Sequence, residues 1–427
     1  MGQVAVISTA SDLNDKIAQH FSDSAGTFVP EFLPDERRVL EFLNYELPEL
    51  SIINLGDGEL AIDEIVRAIQ ADPWLHYGGL ICVHPDQTAG DWEKRLTAGN
   101  VVSFIPQHDL DFSLPRVIRI LGNNRQFLFQ REIQDRLLNR IAGTFVIDND
   151  PLDIRTYAHL LTNYLYNANY LSGEQRDALL VALMELLMNA IEHGNCQISS
   201  SEKTDWLEAG NNIFDLIRAK NGTPAISARK VHMYYRIEPD KSSIRVRDEG
   251  DGFDWRSRTK AITEKNYQSL HGRGILMADH YVSNLTYNDK GNEVGFEIGH
   301  QRDESNTRPE AFASEQEVVF EPGETVFNEG EESSYLYYIV SGQLNVVARG
   351  TVVSTLTPDD IFLGEMSFLL NNQRSASVQA NVRSRLLRIS KESFVNVVKR
   401  QPYYGIFLAR LLAQRLDRLN QRIKRSS

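Results

Sequence analysis

The sequence predicts a multidomain chain of mixed α/β and α+β class. A doubly wound parallel sheet comes first, an α/β unit follows, and a small all-β unit with flanking helices closes the chain. Three observations predict this order. Short, continuously apolar runs alternate with helical patterns over 1–115; a long helix with a polar stripe precedes strand patterns within 144–300; and short strands separated by glycine turns recur from 315 onward. At about 100–200 residues per domain, 427 residues allow two to four domains.

In the first unit the apolar runs are 4–7, 51–55, 80–83 and 101–105, with an amphipathic stretch at 62–69 between them. Buried runs separated by helices are the signature of a parallel sheet covered on both faces. From 114 the spacing turns helical through Val117, Ile120, Leu121, Leu128, Ile133, Leu137, Leu138 and Ile141. A connecting helix is therefore expected over 116–143, a candidate seam between two copies of the chain.

The middle unit, 144–300, opens its main helix at Ser172-Gly-Glu-Gln175, a capping-box pattern, and runs it to His193. Strands are expected at 231–237, 244–247 and 294–298, with a Ser-rich insertion at 197–229 that carries helical patches near Trp206 and 213–217. Residues 301–314 are polar and read as a linker. In 315–427 the expected strands are 318–320, 325–327, 335–340, 343–348 and 352–356, an all-β barrel or sandwich pattern, followed by helices at 391–399 and 404–425.

Composition narrows the function. Lys+Arg of 45 against Asp+Glu of 58 gives a net charge of −13, which disfavours a general nucleic-acid binder. The charge is uneven: 383–427 holds twelve Lys/Arg against Glu392 and Asp417, a local +10, so the remainder carries −23. That asymmetry favours a contact of the basic tail with acidic parts of this chain or of another subunit. Two cysteines, Cys82 and Cys196, make neither a disulfide framework nor a zinc site, so a reducing, cytoplasmic setting is expected. The apolar N-terminus reads as a buried strand and not a signal peptide, and no run of 18 apolar residues suggests membrane insertion.

Glu185 and Asn189 stand one turn apart on a helix otherwise reading ALLVALMELLMNAI, with His193 a turn further on. Buried polar groups cost about 1–3 kcal/mol each when unpaired, so such a stripe calls for a ligand or a partner. An Asn amide oxygen can serve Mg²⁺, and a Glu can take a proton from a hydroxyl. Asp248-Glu-Gly250-Asp-Gly252 follows a strand, where the Asp can accept an adenine amine and the glycines permit close approach. His271-Gly272-Arg273-Gly274 precedes a helical run, and glycine-rich backbone there offers N–H groups to phosphate.

In this order and spacing, MELLMNAIEHGN, VRDEGDGFDW and GRGILMADHYVSNLTYN resemble the histidine-kinase-type ATPase family, in particular its anti-sigma-factor serine-kinase branch. The resemblance implies an α/β sandwich fold with Glu185 as general base, Asn189 as Mg²⁺ ligand and Asp248 on adenine. Gly250 and Gly252 would shape the adenine pocket, Gly272 and Gly274 would cradle phosphates with Arg273 nearby, and His193 would be structural. A histidine kinase is not expected, because the upstream His159 in YAHLLTN is followed by no acidic residue and leaves no room for a phosphoacceptor hairpin. The 197–229 insertion is longer than the usual connection in that branch.

The last unit carries Phe362-Leu-Gly364-Glu365-Met366 and, eight residues on, Arg374-Ser375-Ala-Ser-Val378. Arg374 can pair a phosphate, Glu365 can accept from a ribose 2′-hydroxyl, and backbone N–H groups from Gly364 to Met366 with the Ser375 hydroxyl can complete an anion nest. With Pro322-Gly323, Glu329-Gly330 and Gly342 ahead of it, this stretch resembles the cyclic-nucleotide-binding domain of kinase regulatory subunits and catabolite-activator-type regulators. The resemblance implies a β-barrel with flanking helices over 315–427 and a bound cyclic nucleotide, with Ser375 favouring cAMP over cGMP. Its closing helix would cover the base or form a dimer seam, so a homodimer is expected.

The first unit, 1–115, resembles a response-regulator receiver whose chemistry is missing. Ser8-Thr9 replace the acidic pair, Asn54 or Leu55 stands at the acceptor place, and Ile105-Pro106 lacks the lysine. Asp57 is read as a turn residue. The joint expectation is a pseudo-receiver joined to a cyclic-nucleotide-regulated protein Ser/Thr kinase that uses Mg-ATP on an anti-sigma-antagonist-like protein. The rival readings are an ATP-binding partner-switching regulator without catalysis and a DNA-associated regulator using the basic tail.

Overall fold

The computed structural model describes residues 2–23, 28–71, 76, 78–85, 89–96, 99–128, 141–168, 170–238, 240–252, 282–300 and 309–413. They fall into two compact units, one gathering 1–100 with 303–427, the other most of 101–302.

In the first unit, β1 (Gly2–Ile7), β2 (Phe28–Leu33), β3 (Leu50–Asn54) and β4 (Gly79–His84) are neighbouring parallel strands, in the order β2-β1-β3-β4, of a five-stranded sheet. Helices α1 (Ser11–Asp23), α2 (Glu36–Glu46), α3 (Ile62–Ala71) and α4 (Ala89–Arg95) alternate with the strands. β3 and β4 are buried at every position, which is why they read as unbroken apolar runs. β2 is absent from the sequence expectation because Pro30 interrupts FVPEFL; an edge strand tolerates a residue that cannot donate to the ladder. Asp35 caps α2 by accepting from the Arg38 N–H at 2.9 Å, and Leu47 ends that helix in the left-handed conformation, φ 51°.

At the strand ends, Asp57 is the expected turn residue, accepting from the Glu59 and Leu60 N–H groups at 3.1 and 3.2 Å. It also accepts from the Thr9 N–H at 2.6 Å and the Thr9 hydroxyl at 2.8 Å, so it ties the loop after β1 to the loop after β3. Asn54 donates to the Ser8 hydroxyl at 3.3 Å. The polar residues at the ends of β1 and β3 are thus bonded to one another.

In the second unit, β5 (Val101–Pro106) leads into α5 (Leu110–Asn123) and a short 3-10 turn, Arg125–Phe127. The connecting helix expected over 116–143 is corrected at both ends. It begins six residues early, because Leu110 and Leu114 already follow the apolar spacing, and the next element, β6 (Ile141–Asp148), is a strand. Residues 129–140 lie outside the described residues.

β6 joins β7 (Lys230–Ile237), β8 (Lys241–Arg247), β9 (Val282–Tyr287) and β10 (Glu293–Gly299) in an antiparallel sheet ordered β6-β7-β8-β10-β9. Burial alternates along β7, β8 and β10, so one face of the sheet is covered. Helix α6 (Pro151–Asn167) packs on β6 and on α7 (Gly173–Asn189). The Ser172 hydroxyl accepts from the Gln175 N–H at 3.2 Å and the Gln175 side chain accepts from the Ser172 N–H at 3.0 Å, completing the capping box. The insertion folds as helices α8 (Ser200–Glu208) and α9 (Ile213–Asn221) and a single turn, Pro224–Ser227.

The C-terminal strands are β11 (Gln316–Phe320), β12 (Thr325–Phe327), β13 (Tyr335–Ser341), β14 (Leu344–Ala348), β15 (Thr351–Leu356), β16 (Phe362–Leu363), β17 (Ser377–Ala380) and β18 (Ser384–Ser390). They make two four-stranded sheets, β11-β18-β13-β16 and β12-β17-β14-β15. Phe327, Ile339, Leu344, Val378 and Leu386, drawn from both sheets, share one core. Of the barrel and sandwich that strand spacing left open, the two sheets make a sandwich, in place of the β-barrel the family resemblance implied: alternation sends one face of each sheet inward, and spacing alone does not fix closure. A second core lies under the short helix Glu365–Leu370, the helix Lys391–Arg400 and a closing helix over 403–413.

Asp57 gives the N-terminal fold a pH signature. Burial would raise its carboxyl, yet bonds from Thr9, Glu59 and Leu60 hold it below the ordinary carboxylate value. A depressed carboxylate contributes stability above the unfolded value and loses it as pH falls through the folded one. Asp57→Asn should cost about 1 kcal/mol near pH 7, with the gap to wild type closing below about pH 4, as read by urea denaturation across pH.

Candidate functional site

Two sites emerge from the fold, each built where a charged side chain meets a glycine. In the second unit, α7 ends at Asn189 and passes into a π-helical turn, Ala190–Asn195. The Cys196 N–H closes this turn on the Ile191 carbonyl at 2.8 Å. Such wider turns recur at functional sites because they shift side chains off the α-helical register. The shift delivers Gly194 against Asp248, just past β8: a Cβ at 194 would sit 2.3 Å from the Asp248 Cγ. A Cβ at Gly250 would lie 2.2 Å from the Gly194 carbonyl oxygen, and one at Gly252 (φ 80°) 2.0 Å from the Lys290 carbonyl oxygen. Only glycine fits these approaches.

Asp248 is 9% exposed, and burial pushes its carboxyl above the ordinary value, against the Gly250 N–H and the charges of Lys290 and Arg229. One oxygen accepts from the Gly250 N–H at 2.8 Å. Behind it the β9–β10 turn forms a brace that sequence reasoning missed. Asp248 N–H donates to the Asn292 carbonyl at 3.0 Å, the Asn292 amide donates back to the Asp248 carbonyl at 2.8 Å, and Lys290 Nζ donates to the Gly250 carbonyl at 2.8 Å. Asn288 holds that turn by accepting from the Gly291 N–H at 2.7 Å. The signal was NDKGN, which reads as an ordinary hairpin turn.

Glu185 and Asn189 are half-buried on the last turns of α7, on the segment that leads to Gly194. Tyr287, at the end of β9, lies within electrostatic reach of Glu185: burial and that carboxylate together raise its hydroxyl. Buried Glu192 pairs with Lys203 at 2.5 Å, and the His193 ring bonds the Ile198 carbonyl at 2.7 Å, the structural place expected for it. The structure places Gly194, in the turn that follows Glu185 and Asn189 on the chain, against Asp248 and Gly250. Gly272, Arg273 and Gly274 lie outside the described residues.

The second site is at Arg374, which is 4% exposed. Its guanidinium donates to the Gly364 carbonyl at 2.8 Å, the Ser367 hydroxyl at 2.9 Å and the Tyr335 carbonyl at 2.5 Å, and stacks 4.1 Å from the Phe327 ring centre. Nε is buried and has no partner among the described residues. Gly364 (φ 78°) begins the Glu365–Leu370 helix, and a Cβ there would lie 2.2 Å from an Arg374 nitrogen. Burial lowers the guanidinium's proton affinity, with Tyr337, Glu331 and Glu365 opposing it. Glu365 is buried beside it, while Ser375 and Met366 are exposed. A buried cation with an unsatisfied N–H beside a glycine cradle fits a small anion such as a cyclic phosphate.

Residues 147–298 match the histidine kinase-like ATPase domain, and residues 317–401 match the cyclic nucleotide-binding domain. The chain carries both domains. The mouse potassium/sodium hyperpolarization-activated cyclic nucleotide-gated channel 3 is 34% identical over 104 residues, 24% of this chain and 13% of the channel. Human channel 4 of the same name is 30% identical over 104 residues and 9% of its length, so the chain spans about an eighth or less of these relatives. Among solved structures, the Thermus thermophilus catabolite activator protein is 28% identical, with a TM-score of 0.25, over 27% of this chain and 55% of that one. The N-terminal domain of a Streptomyces coelicolor transcriptional regulator is 26% identical, with a TM-score of 0.23, over 26% and 81%. No described helix is long and apolar enough to cross a membrane.

The Asn292 brace makes a prediction. Asn292→Ala removes a buried donor to the Asp248 carbonyl, a loss of about 1–2 kcal/mol. ATP affinity measured by calorimetry should fall roughly tenfold, while the far-ultraviolet dichroism of the variant stays that of wild type.

Proposed function

We propose that this chain is a cyclic-nucleotide-regulated protein serine/threonine kinase of anti-sigma-factor type, working in a bacterial cytoplasm on a regulatory protein partner. The observation that carries the reading is Glu185 one turn before Asn189, on the helix that runs into the π-turn whose Gly194 lies against Asp248. In that frame the Asp248 carboxylate accepts from the adenine amine, and the Gly250–Gly252 backbone lies against the base. Glu185 takes the proton of a partner Ser or Thr hydroxyl as its oxygen attacks the γ-phosphorus. The bond from that phosphorus to the β–γ bridging oxygen breaks, and ADP leaves. Gly272, Arg273 and Gly274 are assigned to the phosphates by motif.

The donor set suits Mg²⁺. Among the described residues no cluster of three His, Cys, Asp or Glu side chains could hold a metal, and Mg²⁺ takes few protein oxygens when substrate phosphates supply the rest. The Asn189 amide oxygen would hold it, and the ion would neutralise phosphate charge. At the second site Arg374 would pair the cyclic phosphate and Glu365 the ribose 2′-hydroxyl. Ser375 supports cAMP as the ligand, and the protein is proposed to act as a homodimer.

A second reading, a nucleotide-binding partner-switching regulator without catalysis, draws on the helical insertion. Leu207 and Phe214 on α8 and α9 are 45% and 36% exposed, apolar area suited to holding a protein.

Two variants test these readings. With labelled ATP and the copurified partner, Glu185→Gln should cut transfer by about 10²–10³ with ATP affinity kept within about threefold, because the proton acceptor is lost and the fold is not. Transfer equal to wild type would remove the kinase assignment, and tight ATP binding without transfer by the wild type would favour the regulator. Arg374→Ala should weaken cAMP at least about a hundredfold, since two or more charge-assisted bonds are lost, as read by calorimetry.

A further inference from the structure

The N-terminal domain and the cyclic nucleotide-binding domain lie in one compact unit, and an unbroken file of aromatic rings joins them. Phe368, on the buried face of the Glu365–Leu370 helix, meets Phe394 edge-on at 5.7 Å between ring centres. Phe394 stacks on Phe312 at 6.4 Å, and Phe312 meets Tyr404 of the closing helix at 5.4 Å. Tyr404 stacks on Tyr403 at 5.0 Å, and Tyr403 meets Tyr45 of α2 edge-on at 6.4 Å. One end of the file is the helix that Arg374 holds through Gly364 and Ser367; the other is the C-terminus of a helix in the N-terminal domain.

Two further contacts fix that far end. Leu47 packs against the core formed by Phe312, Tyr404 and Phe407. It does so from the left-handed conformation, φ 51°, which a β-carbon makes unfavourable and which Gly usually fills at a helix C-cap. Arg410 of the closing helix donates to the Glu46 carbonyl at 3.3 Å, an end-of-helix acceptor that α2 cannot satisfy itself. A leucine held in a glycine conformation needs packing to keep it there, and the core of the other domain supplies part of it.

We infer that the N-terminal domain is the internal receiver of the cyclic-nucleotide signal, read at the Tyr45–Leu47 end of α2 through the closing helix. The inference rests on Arg374 binding a cyclic phosphate. An arriving phosphate competes for guanidinium N–H groups now donated to Gly364, Ser367 and Tyr335. Released from that hold, the Glu365–Leu370 helix carries Phe368 with it. A close-packed core passes such a displacement on as a switch between packings and does not absorb it. The switch changes whether the closing helix presents Tyr403, Tyr404 and Arg410 to α2. The N-terminal domain thereby receives an input from its own chain.

Leu47→Gly tests this in the full chain, because glycine keeps the left-handed cap of α2 while deleting the docked side chain; Arg410→Ala is the milder companion. In wild type, saturating cAMP should change amide hydrogen exchange over 36–47 at least about threefold. In Leu47→Gly that response should vanish and, by reciprocity, the Kd for cAMP should shift by about threefold or more. Arg410→Ala should move both readouts the same way by a smaller factor. Binding of cAMP to wild type with unchanged exchange over 36–47, or an unaltered Kd in both variants, would overturn the coupling alone. Failure of wild type to bind either cAMP or cGMP would overturn the ligand assignment and the coupling with it.

Discussion

The approach of backbone to carboxylate at Gly194 and Asp248 is the constraint on which the ATPase unit depends. No side chain fits at 194, because a β-carbon would sit 2.3 Å from the carboxyl carbon. The contact ties the end of α7 to the loop after β8, so Glu185 and Asn189 are referred to Asp248 by covalent geometry over a few residues. An α-helical continuation past Asn189 would aim the chain elsewhere; the π-turn makes the approach. Asp248 is in turn braced from behind by Asn292 and Lys290, so the carboxylate meets a ligand already oriented. Bonds made before binding need not be formed at the cost of ordering during it.

The Arg374 site uses the same device with the opposite charge. A buried cation costs far more than a buried neutral group unless it is hydrogen-bonded, and two carbonyls, a hydroxyl and the Phe327 face supply that compensation. Gly364 is the residue that lets the guanidinium lie against the backbone. The compensation is incomplete, since Nε has no partner among the described residues. A site satisfied well enough to fold, yet short of one acceptor, has a built-in preference for an anion.

How legible this was in the sequence depended on whether the signal was local. β3 and β4 could be read because burial on both faces leaves an uninterrupted apolar run, and α7 because Ser172 and Gln175 form a reciprocal cap. β2 could not, since its tolerance of Pro30 depends on lying at a sheet edge, a property of the neighbours. The connecting helix was misplaced because apolar spacing continues past Asn123, where the chain has already left the helix. In the site, Gly250, Gly252 and Gly364 stood out as glycines beside charged residues. Gly194 did not, because one glycine after a helix reads as a cap, and its partner Asp248 is 54 residues away. Asn292 escaped for the same reason: its hydrogen bonds cross from one hairpin turn to another strand's end.

The N-terminal sheet is tied together at the ends of its strands. Ser8, Thr9, Asn54 and Asp57 stand at and just past the ends of β1 and β3, and Asn54 bonds Ser8 while Thr9 bonds Asp57. A carboxylate that accepts three N–H groups and a hydroxyl has its lone pairs engaged, so Asp57 serves to pin two loops together. That pinning stiffens the sheet from which α2 is hung, and α2 carries the strained Leu47 cap that enters the core of the cyclic nucleotide-binding domain. A rigid sheet at one end and a packed aromatic core at the other leave the Leu47 junction as the place between them where a change in packing can be expressed. On this view the bonded loop ends make the domain a firm support for reading a signal that arrives from its own chain.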